Sequence, residues 1–139
     1  MKAPGPDPET SARMARVRQK GTKIETKVAT VLRDLGVNYR KNVRALPGSP
    51  DFANRSGRWA IFVNGCFWHH HIGCPKATIP KSNRNFWIAK FRDNRRRDAR
   101  SMARLLRAGY RVIVVWECQE DQIRSKLTKI FEARRVDTR

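Results

Sequence analysis

The chain has 139 residues, of which 40% are hydrophobic, so it is long enough and apolar enough to bury one core, and a globally disordered chain is excluded. Thirty-one Lys and Arg stand against twelve Asp and Glu, which gives a formal net charge of +19. A small domain tolerates such self-repulsion best when a polyanion lies against it. Its apolar runs are only as long as a strand, so the charge indicates nucleic acid rather than a membrane.

The chain opens with a Pro-rich segment. Residues 1–8 contain three prolines and no hydrophobic signal segment, which predicts a flexible arm and a cytoplasmic protein. A short basic helix is predicted from about Glu9 to Gln19, so we expect residues 1–20 to form a basic arm and residues 21–139 a single domain. Thr22-Lys-Ile-Glu25 has the pattern of a capping box, and it predicts a helix that Gly36 ends.

The remaining elements alternate between strand and helix patterns. We predict strands at Val37–Val43, Asp51–Asn54 and Trp59–Val63, a long basic helix from about Asn85 to Ala108, a fully buried strand at Arg111–Trp116 and a closing helix marked by Ile123, Leu127, Ile130 and Phe131. The second and third strands, joined through Ser56-Gly57, are expected to form a hairpin. This order indicates an α/β fold in which a mixed β-sheet is flanked by helices on both faces.

Two of the three cysteines and all three histidines lie between Cys66 and Cys74. The spacing Cys66-x4-His71-x2-Cys74, with Cys118 after a strand, fits a closed Cys3His zinc site of the structural type. Spacing alone leaves open which histidine binds the metal. The alternative is that the cysteines are small buried hydrophobic residues and the histidines form a solvated turn.

Two aspartates are candidates for catalysis. Asp51 begins a strand, where metal-dependent nucleases commonly carry a carboxylate, but the next strand lacks the second carboxylate and the lysine of such enzymes. A turn residue is the alternative. Asp98 shares a helix face with Phe91, Met102 and Leu105, so we expect it to point at the core, paired or near a metal; a buried salt bridge to an arginine is the alternative.

The long helix is strongly basic, with nine basic and two acidic residues between Arg84 and Arg107, as expected for a surface that faces phosphates. The pairs Phe67-Trp68 and Phe86-Trp87 lie beside polar sequence and could insert between base steps, although core packing is the alternative for at least one ring of each pair.

In chain order, Leu46–Phe52, Gly65–His71, Phe86-Trp87, Asn94–Asp98 and Arg111–Cys118 resemble the very-short-patch-repair (Vsr) DNA mismatch endonucleases. The resemblance covers nearly the whole chain. It implies a restriction-endonuclease-like core that nicks mismatched double-stranded DNA 5′ to the thymine of a T:G pair, the product of 5-methylcytosine deamination. It also implies a monomer associated with the bacterial nucleoid and functionally linked to a cytosine-5 DNA methyltransferase.

The resemblance also assigns roles to residues. Asp51 and the main-chain carbonyl of Val63 would bind catalytic Mg²⁺, His69 would orient or deprotonate the attacking water, Asp98 would support His69, and Glu25 would hold water of the magnesium shell. Structural Zn²⁺ would take Cys66, His71, Cys74 and Cys118. Phe67, Trp68 and Trp87 would wedge in from the major groove, Met14 and Val17 would enter the minor groove, and Arg13, Lys90 and Asn94 would contact DNA.

The chain departs from the family at Val63, where a hydroxyl residue can stand, although a carbonyl survives every substitution. Two other functions stay open from the sequence. One is a sequence-specific nicking endonuclease without strict mismatch dependence, and the other is a non-catalytic zinc module that binds nucleic acid.

Overall fold

The computed structural model describes the backbone of residues 23–137 and the side chains of residues 23–132. The predicted basic arm, with Arg13, Met14 and Val17, and the capping residue Thr22 lie outside the described residues. The elements are α1 (Lys23–Asp34), β1 (Arg40–Lys41), β2 (Phe52–Asn54), β3 (Trp59–Asn64), α2 (Arg84–Arg107), β4 (Arg111–Trp116), a 3₁₀ segment (Glu117–Gln122) and α3 (Ile123–Asp137).

The four strands form one mixed sheet in the order β1-β2-β3-β4. The first three strands are antiparallel, and β2 and β3 form the predicted hairpin, whose turn is fastened by the Asn54 side chain accepting the Gly57 N–H at 2.8 Å. Strands β3 and β4 are parallel and pair from Trp59↔Arg111 to Asn64↔Trp116. A parallel pair needs a crossover, and α2 supplies it.

Helices cover both faces of the sheet, as predicted. Trp59, Ile61 and Val63 of β3 point to one face, where they pack with the apolar sides of α1 and α3. Ala60 points to the other face and packs with Leu105 of α2. This alternation follows the two-residue period of a strand, and the alanine keeps α2 close to the sheet. None of the helices between residues 23 and 137 is long and apolar enough to span a bilayer.

Two predicted strands differ from the structure. The pattern Val37–Val43 predicted a strand, but pairing is limited to Arg40–Lys41, because Asn42 adopts a left-handed backbone conformation with φ 49°. The prediction that β4 is fully buried was wrong as well. Only Ile113 and Val115 are buried in this strand, since β4 lies at the edge of the described sheet and its α2 face has fewer neighbours.

The loop between β1 and β2 rests directly on α2. Leu46 and Pro50 are buried there, and Gly48 turns the chain with φ +76°. A Cβ built on Gly48 would lie 2.8 Å from Cβ of Ser101. Contact this close admits only a glycine, so the loop ending at Asp51 has a fixed height above the helix.

We predict that Gly48→Ala lowers the free energy of unfolding by more than the same change at Gly73. Both glycines have nearly the same positive φ, but a Cβ on Gly73 meets nothing within 4 Å. Gly73→Ala should therefore cost only the left-handed backbone term of about 1–2 kcal/mol, and Gly48→Ala should add about 1–3 kcal/mol of overpacking. Urea unfolding of the two variants measures the difference, and equal losses would show that the loop does not need this contact.

Candidate active site and metal centre

One edge of the sheet collects most of the predicted functional residues. Strand β2 begins at Phe52, whereas β3 and β4 end at Asn64 and Trp116, and these three termini lie at the same edge because β2 runs opposite to the other two. A cavity of about 270 Å³ opens there, against the middle of α2. It is lined by Gly48, Ser49, Asp51, Phe62, Val63, Asn64, Gly65, Trp68, His69, Arg97 and Asp98.

Asp51 is held at the floor of this cavity. The side chain is 7% exposed, and its Oδ2 accepts the backbone N–H of Val63 at 2.7 Å. A strand residue projects its N–H and its C=O to the same side, so the Val63 carbonyl faces the Asp51 side of β3 as well. The predicted pair of oxygen donors for a divalent cation is thus directed toward one region.

His69 and Asp98 form a hydrogen-bonded pair across the cavity. His69 Nδ1 lies 2.6 Å from Asp98 Oδ2, and the two side chains are 31% and 26% exposed. A carboxylate at this distance favours the tautomer in which Nδ1 carries the proton and Nε2 is the hydrogen-bond acceptor. The expectation that Asp98 points at the core was wrong. The middle of α2 passes the cavity rather than the packed core, and the partner of Asp98 is a histidine instead of an arginine.

The next histidine, His70, is packed against α2. The His70 ring stacks on Phe91 with centroids 4.3 Å apart, and its Nδ1 accepts from Arg95 Nη1 at 3.1 Å. Burial lowers the pKa of His70, and the charge of Arg95 lowers it further, so the ring stays neutral. His70 therefore holds the loop against α2 through ring stacking on Phe91 and a hydrogen bond from the charged Arg95.

The third histidine belongs to the predicted metal cluster. Ligand atoms of Cys66, His71, Cys74 and Cys118 all lie within 4.8 Å of one another. His71 Nδ1 is 3.7 Å from Cys66 Sγ and 3.4 Å from Cys118 Sγ, and its ring stacks on Trp116 at 3.9 Å. Among the three histidines, the structure thus brings His71 to the thiols.

The spacing of this cluster fits a tetrahedral metal ion. With Zn–S of about 2.3 Å and Zn–N of about 2.05 Å, tetrahedral angles place sulfur and nitrogen about 3.6 Å apart, close to the observed separations. Three thiols and one imidazole are soft or borderline donors that favour Zn²⁺ over a hard cation.

The parallel pairing of β3 and β4 explains why distant residues meet in this cluster. Asn64 lies opposite Trp116, and Cys66 and Cys118 each follow two residues later. Burial raises the pKa of the Cys66 thiol to about 12, whereas a backbone N–H at Lys76 lowers that of Cys74. In the metal-free protein Cys66 is therefore protonated, and binding an ion must displace its proton.

The aromatic residues divide into a buried layer and a partly open one. Trp87 is 3% exposed and packs against Phe91 and Phe67, with centroids 5.7 and 6.1 Å apart. Phe67 in turn contacts Trp68 edge to face at 5.2 Å, and both rings are half-buried at the protein surface. Trp87 can therefore act in this structure as the support of Phe67, and it presents no ring that could enter DNA directly.

Three other predicted site residues lie away from the cavity floor. Glu25 lies in the first turn of α1, half-buried, and does not line the cavity. Lys90 is exposed on α2, as a phosphate contact requires. Asn94, predicted to contact DNA, is only 8% exposed, and its amide is engaged with protein groups at both ends.

Among the charged residues that line the cavity, the sequence reasoning missed Arg97. In the sequence it stands among many arginines of α2, and nothing in its type or spacing separates it from Arg95 or Arg96. The only signal was its position three residues after Asn94, which puts the two side chains on one helix face.

Comparison with known proteins shows the family of the chain. The family profile described as DNA mismatch endonuclease Vsr matches residues 7–76. The chain belongs to the Vsr family. It is 43% identical over 106 residues to the type II nicking enzyme V.XorIIP of Xanthomonas oryzae pv. oryzae, covering 76% of this chain and 77% of the relative. It is 40% identical over 108 residues to the DNA mismatch endonuclease Vsr of Escherichia coli K12, covering 78% and 69%.

We predict that this Vsr-family endonuclease carries one tightly bound metal ion per chain and that Cys118→Ser loses it. A hydroxyl in place of a thiolate leaves the tetrahedral set with three strong donors, and the binding energy of a structural ion is folding energy. Metal analysis after purification without chelator, with melting curves in zinc and in chelator, measures both effects. Because Cys66 must lose a proton, zinc affinity should fall as the pH falls.

Ser125→Ala serves as a control, because Ser125 is exposed at the start of α3 and bonds only the Gln122 carbonyl. Its melting temperature should keep the zinc dependence of the unchanged protein. A folded preparation without metal, or a Cys118→Ser variant whose melting still depends on zinc, would contradict a four-donor site.

Proposed function

We propose that the chain nicks duplex DNA 5′ to the thymine of a T:G mismatch, with Mg²⁺ as the catalytic ion. The observation that carries this proposal is that Asp51 and the His69–Asp98 pair line one cavity, immediately beside the half-exposed rings of Phe67 and Trp68. Hydrolytic groups and rings able to test base stacking are thus within one loop of each other. The name of the E. coli relative, a DNA mismatch endonuclease, supports the same reading.

The cavity suits Mg²⁺ although β3 carries no carboxylate and Asp98 is paired with His69. Mg²⁺ prefers oxygen ligands and commonly takes one or two carboxylates together with waters and substrate phosphates. Asp51 and the Val63 carbonyl supply two protein oxygens, and the DNA backbone would supply the others. When bound, the ion would neutralise charge on the scissile phosphate and orient it.

His69 would act as the base. Its Nδ1–H is held by Asp98, so Nε2 can accept a proton from a water in the cavity. The water oxygen then attacks phosphorus as the bond to the 3′ oxygen breaks, leaving a 5′-phosphate on the thymine and a 3′-hydroxyl on its neighbour. The departing oxygen takes its proton from solvent.

Mismatch preference would come from the aromatic residues. Phe67 packs against the buried rings of Trp87 and Phe91, and Trp68 packs against Phe67, so both rings have support on the protein side when they press against a base step. Unstacking costs less at a wobble pair than at a matched pair, and a rigid wedge converts that difference into selectivity.

The basic face of α2 would bind the DNA backbone without regard to sequence. Arg92, Arg96 and Arg100 are exposed along this helix, together with Lys90. Contacts to phosphate position the duplex and carry no base information. We further propose that Zn²⁺ is the ion of the Cys3His cluster and that the protein acts as a monomer on chromosomal DNA. It would be functionally linked to a cytosine-5 methyltransferase, whose 5-methylcytosine product gives T:G pairs on deamination.

A sequence-specific nicking enzyme without mismatch dependence is the second candidate. It is favoured by two relatives that are named type II nicking enzymes. One is V.XorIIP of Xanthomonas oryzae, and the other is V.NmeAIP of Neisseria meningitidis, to which this chain is 41% identical over 106 residues. Such an enzyme would share Asp51, His69 and Asp98, so only the substrate distinguishes the two functions.

Asp51→Ala and His69→Ala should each abolish detectable nicking while binding changes little. Affinity rests on many phosphate contacts, whereas hydrolysis rests on one cation site and one base. Binding is measured by titration of labelled T:G duplex, and nicking by single-turnover assay in magnesium. Asp34→Asn, which removes an exposed carboxylate paired with Arg124, is the matched control and should cut normally. Continued cutting by both cavity variants would place the active site elsewhere.

A T:G duplex should be nicked on the thymine strand faster than a T:A duplex of the same context, and the ratio should grow with salt. Salt weakens phosphate contacts steeply and leaves stacking nearly unchanged. Trp68→Ala should lower the T:G to T:A ratio more than it lowers affinity for matched DNA. Leu106→Ala removes an exposed apolar side chain elsewhere on α2 and should keep the ratio. Equal rates on both duplexes in every flanking sequence would identify a nicking enzyme without mismatch dependence.

A further inference from the structure

The buried side-chain amide of Asn94 links the loop that carries Trp68 to Arg97 in the catalytic cavity. Asn94 is 8% exposed in the middle of α2, and its Nδ2 donates to the main-chain carbonyl of Trp68 at 3.0 Å. Its Oδ1 accepts from Arg97 Nη2, also at 3.0 Å. Both ends of the amide are therefore occupied by protein groups. A buried polar side chain with two defined partners fixes their relative positions, because losing either bond would leave a desolvated group unpaired.

Arg97 brings an available positive charge to this cavity. It lines the same space as Asp51, His69 and Asp98. Among the residues that the structure describes, the guanidinium has a single hydrogen-bond partner, the Asn94 oxygen, and no carboxylate partner. A guanidinium offers five N–H donors in a planar fork that matches phosphate oxygens. Four donors thus remain for an anion that enters the cavity.

We infer that Arg97 is a catalytic residue that binds a non-bridging oxygen of the scissile phosphate, and that Asn94 is a positioning residue that couples this contact to the seating of Trp68. The inference rests on the proposed function, since it takes the cavity around Asp51 as the site of hydrolysis. Charge accumulates on the non-bridging oxygens as water attacks, and a preoriented guanidinium stabilises that charge.

The coupling follows from the geometry of one helical turn. Residues 94, 97 and 98 lie on neighbouring positions of α2, at i, i+3 and i+4. Asn94 holds the carbonyl of Trp68, and Asp98 holds the ring of the next residue, His69. Any displacement of the loop at Trp68 therefore moves the base, and through Asn94 it also disturbs the guanidinium.

This arrangement makes mismatch preference a property of the cleavage step. On matched DNA, where Trp68 cannot enter the stack, the loop would be displaced, and Arg97 and His69 would both be misplaced on a bound duplex. Selectivity should then be larger in the saturated single-turnover rate than in Kd. If the wedge acted only on affinity, the selectivity would instead be larger in Kd than in the saturated single-turnover rate.

The test compares Arg97→Gln with Arg96→Gln, its neighbour on the same helix, which loses the same charge but does not line the cavity. At high salt, both variants should bind the T:G duplex more weakly than the unchanged enzyme does. At saturating enzyme, Arg97→Gln should cleave about 10²- to 10³-fold more slowly than the unchanged enzyme, the usual loss for one such donor. The reduction for Arg96→Gln should be much smaller.

A phosphorothioate at the scissile phosphate separates a direct contact from a structural effect. Sulfur replacing the oxygen that Arg97 binds should slow the unchanged enzyme and Arg96→Gln, and this slowing should shrink in Arg97→Gln, where the contact is already missing. Both stereoisomers are measured. If the slowing is the same in all three proteins for both stereoisomers, Arg97 does not touch the phosphate.

A double-mutant cycle tests the role of Asn94. Asn94→Leu keeps the branching and the number of heavy atoms of the side chain and removes both hydrogen bonds, so it should slow cleavage of T:G and reduce the T:G to T:A ratio of saturated rates. Because Asn94 acts partly through Arg97, the double variant Asn94→Leu/Arg97→Gln should lose less rate on T:G than the product of the two separate losses. Independent, multiplicative effects would overturn the coupling.

Folding and the proposed function are controlled separately. Melting curves and zinc content identify variants that fail to fold, and Arg97→Lys, which keeps the charge without the fork, replaces Arg97→Gln in that case and should still lose most of the rate. If Arg97 variants cut at the normal saturated rate while Asp51→Ala does not cut, the inference about Arg97 is wrong and the proposed function stands. If Asp51→Ala cuts, the proposed function itself is wrong.

Discussion

The arrangement at the cavity depends on the parallel pairing of β3 with β4. Because Asn64 lies opposite Trp116, the two chains leave the sheet side by side, and Cys66 and Cys118 meet without any long excursion. The loop from Gly65 to Cys74 contains no helix or strand, so its shape comes from backbone hydrogen bonds within its turns, from this cluster and from contacts with α2. A metal ion bound there would fix the loop at both ends, and the positions of Trp68 and His69 follow from that.

Much of the fold could be predicted from the sequence, because its signals are local. The hairpin turn at Gly57, the glycine after α2 and the apolar period of α3 all appear in the structure close to their expected places. The three cysteines of the candidate metal cluster were also predictable, since cysteines are rare and their spacing is restrictive, but spacing left open which of the three histidines joins them. These signals need no knowledge of which helix packs on which strand.

The parts that could not be predicted depend on tertiary contacts. Helical periodicity correctly put Asp98 on the face with Phe91 and Leu105, but it could not show that a cavity interrupts the core between them. The residue type of Trp87 is compatible both with insertion between bases and with core packing. Only the tertiary structure shows that this side chain is buried. The arrangement of Arg97 and Asn94 depends on the main-chain carbonyl of Trp68, which accepts from the Asn94 amide. Every residue has such a carbonyl, so the sequence cannot show which one is contacted.

The three consecutive histidines impose a frame on the loop. Because the three side chains are identical, they do not themselves determine which imidazole contacts Asp98, which stacks on Phe91 and which lies at the thiols. A slip of one residue in one direction would offer Ile72 to the thiols, and a slip in the other would offer Trp68 to Asp98. Neither residue can ligate a metal through a ring nitrogen or act as a base, so a single alignment satisfies all three environments. The residues that flank the run therefore determine which histidine pairs with Asp98.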